Sequence, residues 1–142
     1  MKLNLQRLAI PGMPDGVYEM LAKALISYPE PSAETTRLTL NLFDSDYDMD
    51  SGGFHPVEIS LIRQGEEWQI SYITDFAYHS QPFPELIKDI DVDIEQGCVE
   101  HVFTGRQSLA AGAELTQLFI SNLIAYYDMG VYQQKLTIDD LS

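Results

Sequence analysis

The fold class of this chain is decided by the segment TRLTLNLF, residues 36–43. Its three leucines alternate with polar residues, which is the pattern of a strand with one buried face. The same alternation recurs at 57–61 and at 68–73, and residues 64–67 form a turn between those two segments. Strands joined by so short a turn pair antiparallel, so we predict an antiparallel sheet.

Toward the N-terminus, two further elements are predicted. Residues 3–5 carry two leucines on either side of a polar residue, which predicts a short edge strand. Asp15 is the predicted N-cap of an amphipathic helix, whose apolar positions recur at helical spacing over 17–28. Pro29 is expected to end that helix because proline cannot continue its hydrogen bonds.

Beyond the third strand, the pattern is less regular. Residues 85–88 follow a proline and are predicted to form one helical turn. Apolar and acidic residues then alternate over 92–94, and 98–103 is predicted to return as a further strand.

The longest predicted element is a helix over 106–129, apolar on nearly all sides and therefore expected to be buried as the central core element. A dimer contact on this helix is the alternative. Gly112 near its start is explained by a close helix–sheet approach, and Gly130 is a typical C-terminal cap. A last strand is predicted over 131–138.

These elements together predict one α+β domain over residues 1–142. It is mainly an antiparallel sheet of about six strands, packed against one long C-terminal helix and one shorter N-terminal helix.

The charge of the chain restricts its partners. Eight lysines and arginines stand against 22 aspartates and glutamates, which gives a net charge of −14. We therefore expect no direct binding to nucleic acid and no binding to an anionic membrane. The N-terminus resembles no signal peptide, and the single cysteine, Cys98, points to no oxidising compartment, so we expect a cytoplasmic protein.

Four aspartates alternate in the loop 44–55, at Asp44, Asp46, Asp48 and Asp50. Alternate carboxylates can bind Ca²⁺ or Mg²⁺, but the glycine and glutamate of an EF-hand loop are missing at the required positions. We favour a solvated acidic loop and predict no metal, with a divalent-cation binder as the alternative function.

No sequence motif for catalysis or for a cofactor is present. The three histidines lack the spacing of zinc ligands. A dyad of Cys98 with His101 is disfavoured because residues three apart on a strand face opposite ways. We predict no cofactor and no catalytic residues, and we favour a protein without enzyme activity. His55 and Asp75 are the candidates for a pocket, although a structural hydrogen bond and a turn cap are the favoured interpretations of these two.

Aromatic residues supply the remaining candidates. Six of them are able to line a groove or an interface: Tyr72, Phe76, Tyr78, Tyr126, Tyr127 and Tyr132. We expect most to be core residues, but an exposed patch of three would favour protein binding. The leading hypothesis is a non-enzymatic protein-binding or regulatory module, which docks a protein partner or forms a homodimer. The alternative is a ligand-binding protein or enzyme, with a pocket between the sheet and the helices lined by His55, Asp75 and the acidic loop from Asp44 to Asp50.

Four segments of the chain resemble a known family. They are SGGFHPVEI at 51–59, YITDF at 72–76, PEL at 84–86 and NLIAYYDMGVY at 122–132. In combination they are similar to a family of small bacterial proteins known chiefly from Vibrio and related marine bacteria, which is catalogued only as a domain of unknown function, the 2787 family. The resemblance covers most of the chain. It implies a stand-alone bacterial domain, sometimes on mobile elements, and supplies no catalytic residues.

Overall fold

Over residues 1–48, 50, 52–79 and 85–140, which the computed structural model describes, the chain forms two helices and seven strands. The helices are α1 (Gly16–Leu25) and α2 (Ala113–Asp128). The strands are β1 (Thr35–Phe43), β2 (Val57–Gln64), β3 (Glu67–His79), β4 (Glu85–Asp93), β5 (Cys98–His101), β6 (Gly105–Ser108) and β7 (Gln133–Asp140).

All seven strands join one antiparallel sheet in the order β6-β5-β4-β3-β2-β1-β7. The first six strands are neighbours in sequence as well as in space. Helix α2 then carries the chain back across the sheet, so that β7 pairs with β1. The predicted α+β class is confirmed, with seven strands where about six were expected.

The core lies on one face of the sheet, beneath the two helices. The alternating leucines of β1 are all buried there, and their ladder partners on β2 are buried apolar residues as well. Residues of α1 and α2 complete this apolar cluster, which includes Val17, Leu21, Phe119, Ile120 and Leu123. The opposite face of the sheet carries polar and charged side chains. The 36–43 segment therefore forms a strand with one buried face, as its alternating pattern predicts.

The long helix predicted over 106–129 is shorter than expected. Residues 105–108 form β6, which folds back on β5 after Gly105, where the backbone has φ +80°. Pairing with β5 gives the backbone amides and carbonyls of this segment their hydrogen-bond partners. Arg106 also makes an ion pair with Glu100 across the hairpin, at 3.2 Å. The expectation that the helix is buried on nearly all sides is also wrong, since Leu118 is 61% exposed.

Two other sequence predictions are wrong. Residues 85–88 are not a helical turn but the start of β4, because β3 extends to His79 and offers them a ladder of partners. Residues 3–5 form no strand: Leu5 makes only a single bridge to Trp68. Helix α1 lies where expected but ends at Leu25, before the proline.

Both glycine predictions for α2 agree with the structure. A Cβ on Gly112 would lie 2.8 Å from the Cβ of Val99 in β5, so the start of the helix approaches the sheet too closely for a side chain. Gly130 has φ +76°, and its amide donates to the carbonyl of Tyr127, which closes the helix end as a Schellman-type cap. Neither helix described here has the length and apolar character needed to cross a membrane.

Candidate functional site

A cavity of about 370 Å³ lies between α2 and the sheet. Its floor comes from β2, β3 and β4, one side comes from the segment before β2, and α2 forms the roof. The side chains and backbone that line it are those of Gly53, Phe54, His55, Val57, Asp75, Asp89, Ile90, Leu115, Leu118, Phe119, Asn122, Leu123, Tyr126 and Tyr132.

Asp75 is the most buried acid in this cavity, with 8% of its surface exposed. It lies on the core face of β3, where its ladder partners are Val57 and Ile90. A buried carboxylate must be hydrogen-bonded or paired to be tolerated. Its Oδ1 accepts from the amide of Ile90 at 3.2 Å, and its Oδ2 lies 3.0 Å from Nδ1 of His55. Asp75 thus places a carboxyl group at a position of β3 whose ladder partners on both sides are apolar.

His55 is held beside Asp75 by the chain that follows it. Strand β2 begins two residues later, and the carbonyl of Pro56 accepts from the amide of Phe76 at 2.9 Å. The imidazole also contacts the ring of Tyr47, with the centroids 5.3 Å apart. The hydrogen bond to Asp75 raises the pKa of His55 and outweighs burial, which lowers it.

Asp89 reaches the same place because of a β-bulge. Asp75 pairs with Ile90 and Phe76 with Lys88, so Asp89 has no counterpart in the ladder between β3 and β4. Neighbours on a regular strand face opposite ways, yet Asp89 and Ile90 both line the cavity. One ligand atom from each of His55, Asp75 and Asp89 lies within 4.8 Å of the others. We call these three residues the polar wall.

The opposite side of the cavity is apolar and aromatic. Leu115, Leu118 and Phe119 project from α2. Phe54 contacts Tyr126 edge-to-face, with ring centroids 4.8 Å apart. Burial raises the pKa of Tyr132 above the usual value for a tyrosine.

The chemistry open to this arrangement is binding and proton exchange. The His55–Asp75 pair can hold a proton or release one. Among the described residues that line the cavity, none is a serine, threonine, cysteine or lysine, so the pair has no adjacent nucleophile of these types.

The acidic loop uses its carboxylates on its own backbone. Asp44 accepts from the amides of Asp46 and Phe54, and Asp48 accepts from the amide of Asp50. In the described part of the chain, the one group of three or more metal-ligating residues that meet is the polar wall. A cation site in this loop stays an untested alternative, and its four aspartates are not among the residues that line the cavity.

The other predicted site residues are dispersed. Of the six aromatic candidates, Tyr126 and Tyr132 line the cavity, whereas the other four, Tyr72, Phe76, Tyr78 and Tyr127, are not among its lining residues. Tyr78 is 38% exposed and stacks on Tyr47, and Phe76 and Tyr127 are half-buried.

Cys98 and His101 do not form a pair. On β5, Cys98 is opposite Asp93 and His101 is opposite Ile90, and an odd spacing places them on different faces. Cys98 is buried, which raises the pKa of its thiol, and His101 accepts from the amide of Phe103.

Sequence reasoning missed Asp89, Phe54 and Leu118 as cavity residues. Asp89 was hidden by the expected helical turn just before it. Phe54 carried a usable signal, because an aromatic residue directly before the candidate His55 at a strand entrance is placed to line the same pocket.

Comparisons with known proteins identify relatives of this chain. A family profile described as a protein of unknown function, DUF2787, matches residues 15–137. Among curated proteins, none matches the chain.

Two solved structures are similar over nearly the whole length. The hypothetical protein VC0508 of the Vibrio cholerae VSP-II pathogenicity island is 32% identical, with a TM-score of 0.85 over 97% of this chain and 100% of that one. The conserved hypothetical protein VC1805 of pathogenicity island VPI-2, which is described as sharing structural homology with the human P32 protein, is also 32% identical. Its TM-score is 0.76 over 96% of this chain and 98% of that one. The profile match spans most of the sequence, and the chain therefore belongs to the DUF2787 family of proteins of unknown function.

Proposed function

We propose that this domain binds a small organic molecule in the cavity between α2 and the sheet. The apolar body of the molecule packs against α2, and its polar end meets the polar wall. The observation that carries the proposal is the carboxylate of Asp75, which is buried on the core face of β3 and opens onto the cavity.

The size and lining of the cavity support this proposal. Ligand pockets have volumes of roughly 300–1,000 Å³, with mostly apolar walls and a few convergent polar groups. A cavity of about 370 Å³ is at the small end of that range, which suits a compact molecule such as a substituted aromatic ring. The polar wall contains two carboxylates and one histidine. It therefore favours a molecule whose polar end is cationic or donates hydrogen bonds.

A protein partner or a homodimer stays a prediction. The exposed aromatic patch that would favour it needs at least three of the six aromatic candidates at the surface. Of those six, Tyr78 alone is exposed, and the others are half-buried. The cavity is therefore the better-supported site.

Three molecules that share a phenyl ring and differ in their polar end group test the proposal: phenethylamine, phenethyl alcohol and phenylacetate. Each is titrated into ¹⁵N-labelled, EDTA-treated protein, and amide shifts are followed by NMR. We expect shifts at the residues that line the cavity, with affinity in the order amine, alcohol, carboxylate, because the polar wall is acidic.

Two variants make the test specific. Asp75→Asn should remove the preference for the amine, whereas Asp91→Asn should keep it, because Asp91 is bonded to Thr74 on the opposite face of the sheet. The absence of shifts at millimolar concentration for all three molecules, or shifts confined to other surfaces, would overturn the proposal.

A further inference from the structure

We infer that the polar wall is a binding site for one divalent transition-metal ion of the zinc class, ligated by His55, Asp75 and Asp89. The inference goes beyond the binding of an organic molecule. It needs no such molecule to be correct, because the three ligands belong to the chain itself.

The separations within the polar wall suit a common ion. Nδ1 of His55 and Oδ2 of Asp75 are already 3.0 Å apart, and one ligand atom from each of the three residues lies within 4.8 Å of the other two. Zinc bonds of about 2.0–2.2 Å in a tetrahedron require ligand atoms about 3.4 Å from each other. The widest pair must therefore close by at most about 1.4 Å. His55 and Asp89 are half-buried, while Asp75 is anchored by the amide of Ile90.

The donor set selects the class of ion. One imidazole nitrogen and two carboxylate oxygens suit zinc and its neighbours, whereas Ca²⁺ and Mg²⁺ prefer oxygen alone. Two carboxylates and a neutral histidine also carry two negative charges, which a divalent ion balances. An ion here takes the place of the proton between His55 and Asp75.

The surroundings resemble those of a metal centre with an open position. Three ligands leave at least one coordination position for water or a ligand atom, and the polar wall lines a cavity that can supply it. Asp75 has an outer-shell partner in the amide of Ile90, and such partners orient metal ligands. The β-bulge at Asp89 adds the third ligand, which a regular strand would turn to the other face.

Calorimetric titration of the EDTA-treated full chain with Zn²⁺ alone tests the inference. We expect one ion per chain, and about 100-fold weaker binding for Asp89→Asn and for Asp75→Asn. Asp91→Asn, which removes the same charge from the opposite face of β4, should bind as the wild type does. The double variant Asp46→Asn/Asp50→Asn tests the acidic loop and should also bind normally.

A second measurement does not depend on any variant. The ring nitrogens of the three histidines are followed by long-range ¹⁵N–¹H NMR during the Zn²⁺ titration, and we expect the signals of His55 alone to shift. Absence of binding, unchanged affinity in Asp89→Asn, or loss of binding in the loop variant would each overturn the inference. Since no organic molecule is present, this result is independent of the cavity titrations.

Discussion

Two buried threonines should respond in opposite ways to the same substitution. Thr116 in α2 and Thr74 in β3 are 0% and 1% exposed. The hydroxyl of Thr74 donates to Asp91 at 2.6 Å. The hydroxyl of Thr116 has no hydrogen-bond partner among the described residues. We therefore predict that Thr116→Val stabilises the protein and that Thr74→Val destabilises it.

The magnitudes follow from these environments. A buried hydroxyl without a partner costs about 1–3 kcal/mol, and valine removes that cost while keeping the branched shape. Allowing for some local crowding, we expect Thr116→Val to raise the free energy of unfolding by about 1 kcal/mol. That gain corresponds to a rise in Tm of roughly 3–4 °C for a chain of this length. Thr74→Val loses a hydrogen bond to a charged acceptor and should cost about 2 kcal/mol.

Urea unfolding and differential scanning calorimetry of the wild type and both variants measure these changes. Thr116→Ser serves as the control, because it keeps the hydroxyl and deletes the methyl group, so it should be less stable than the wild type. A Thr116→Val protein no more stable than the wild type would show that this hydroxyl is satisfied and that the reasoning is wrong.

Three further predictions concern the helix approach, the outer face of the sheet and the cavity entrance. Gly112→Ala should lower the free energy of unfolding by about 1–3 kcal/mol, because the added Cβ would overlap Val99. Alanine normally favours helices, so an increase in stability on urea unfolding would contradict this prediction. Burial and the hydrogen bond to Glu58 raise the pKa of Tyr72 to about 12, so the stability that this phenol contributes is complete below pH 10 and is lost as the pH rises toward 12. The 295 nm titration difference between wild type and Tyr72→Phe should therefore have its midpoint near pH 12, and a midpoint near pH 10 refutes the assignment. Leu118→Trp should weaken phenethylamine binding about 10-fold, because the larger side chain fills the cavity entrance. Leu118 is exposed, so the free energy of unfolding should stay within about 0.5 kcal/mol of the wild type. Unchanged affinity would show that Leu118 does not belong to the binding site.

Much of the fold was predictable because its signals are local. The alternating leucines of β1, the turn at Gly65 and the cap at Gly130 all act within a few residues of themselves. The errors arose where a distant element decided the outcome. Residues 105–108 look compatible with a helix until β5 offers them a strand partner, and residues 85–88 become a strand because β3 is long enough to pair with them.

The candidate site was predictable only in part. His55 and Asp75 stood out as a histidine at a strand entrance and an acid after an apolar strand. Their contact could not be read from the sequence because it joins residues 20 positions apart. Asp89 was beyond prediction, since its direction depends on a bulge in the ladder with β3, and no local residue pattern marks that bulge.

The sequence by itself determined the antiparallel α+β character, the direction of the buried sheet face and the acidity of the surface, because side-chain alternation and charge are properties of short segments. Only the tertiary structure decided that α2 roofs a cavity and that a histidine and two aspartates meet in its polar wall. Strand register sets those distances, and register is a property of paired strands that the sequence of one strand does not contain.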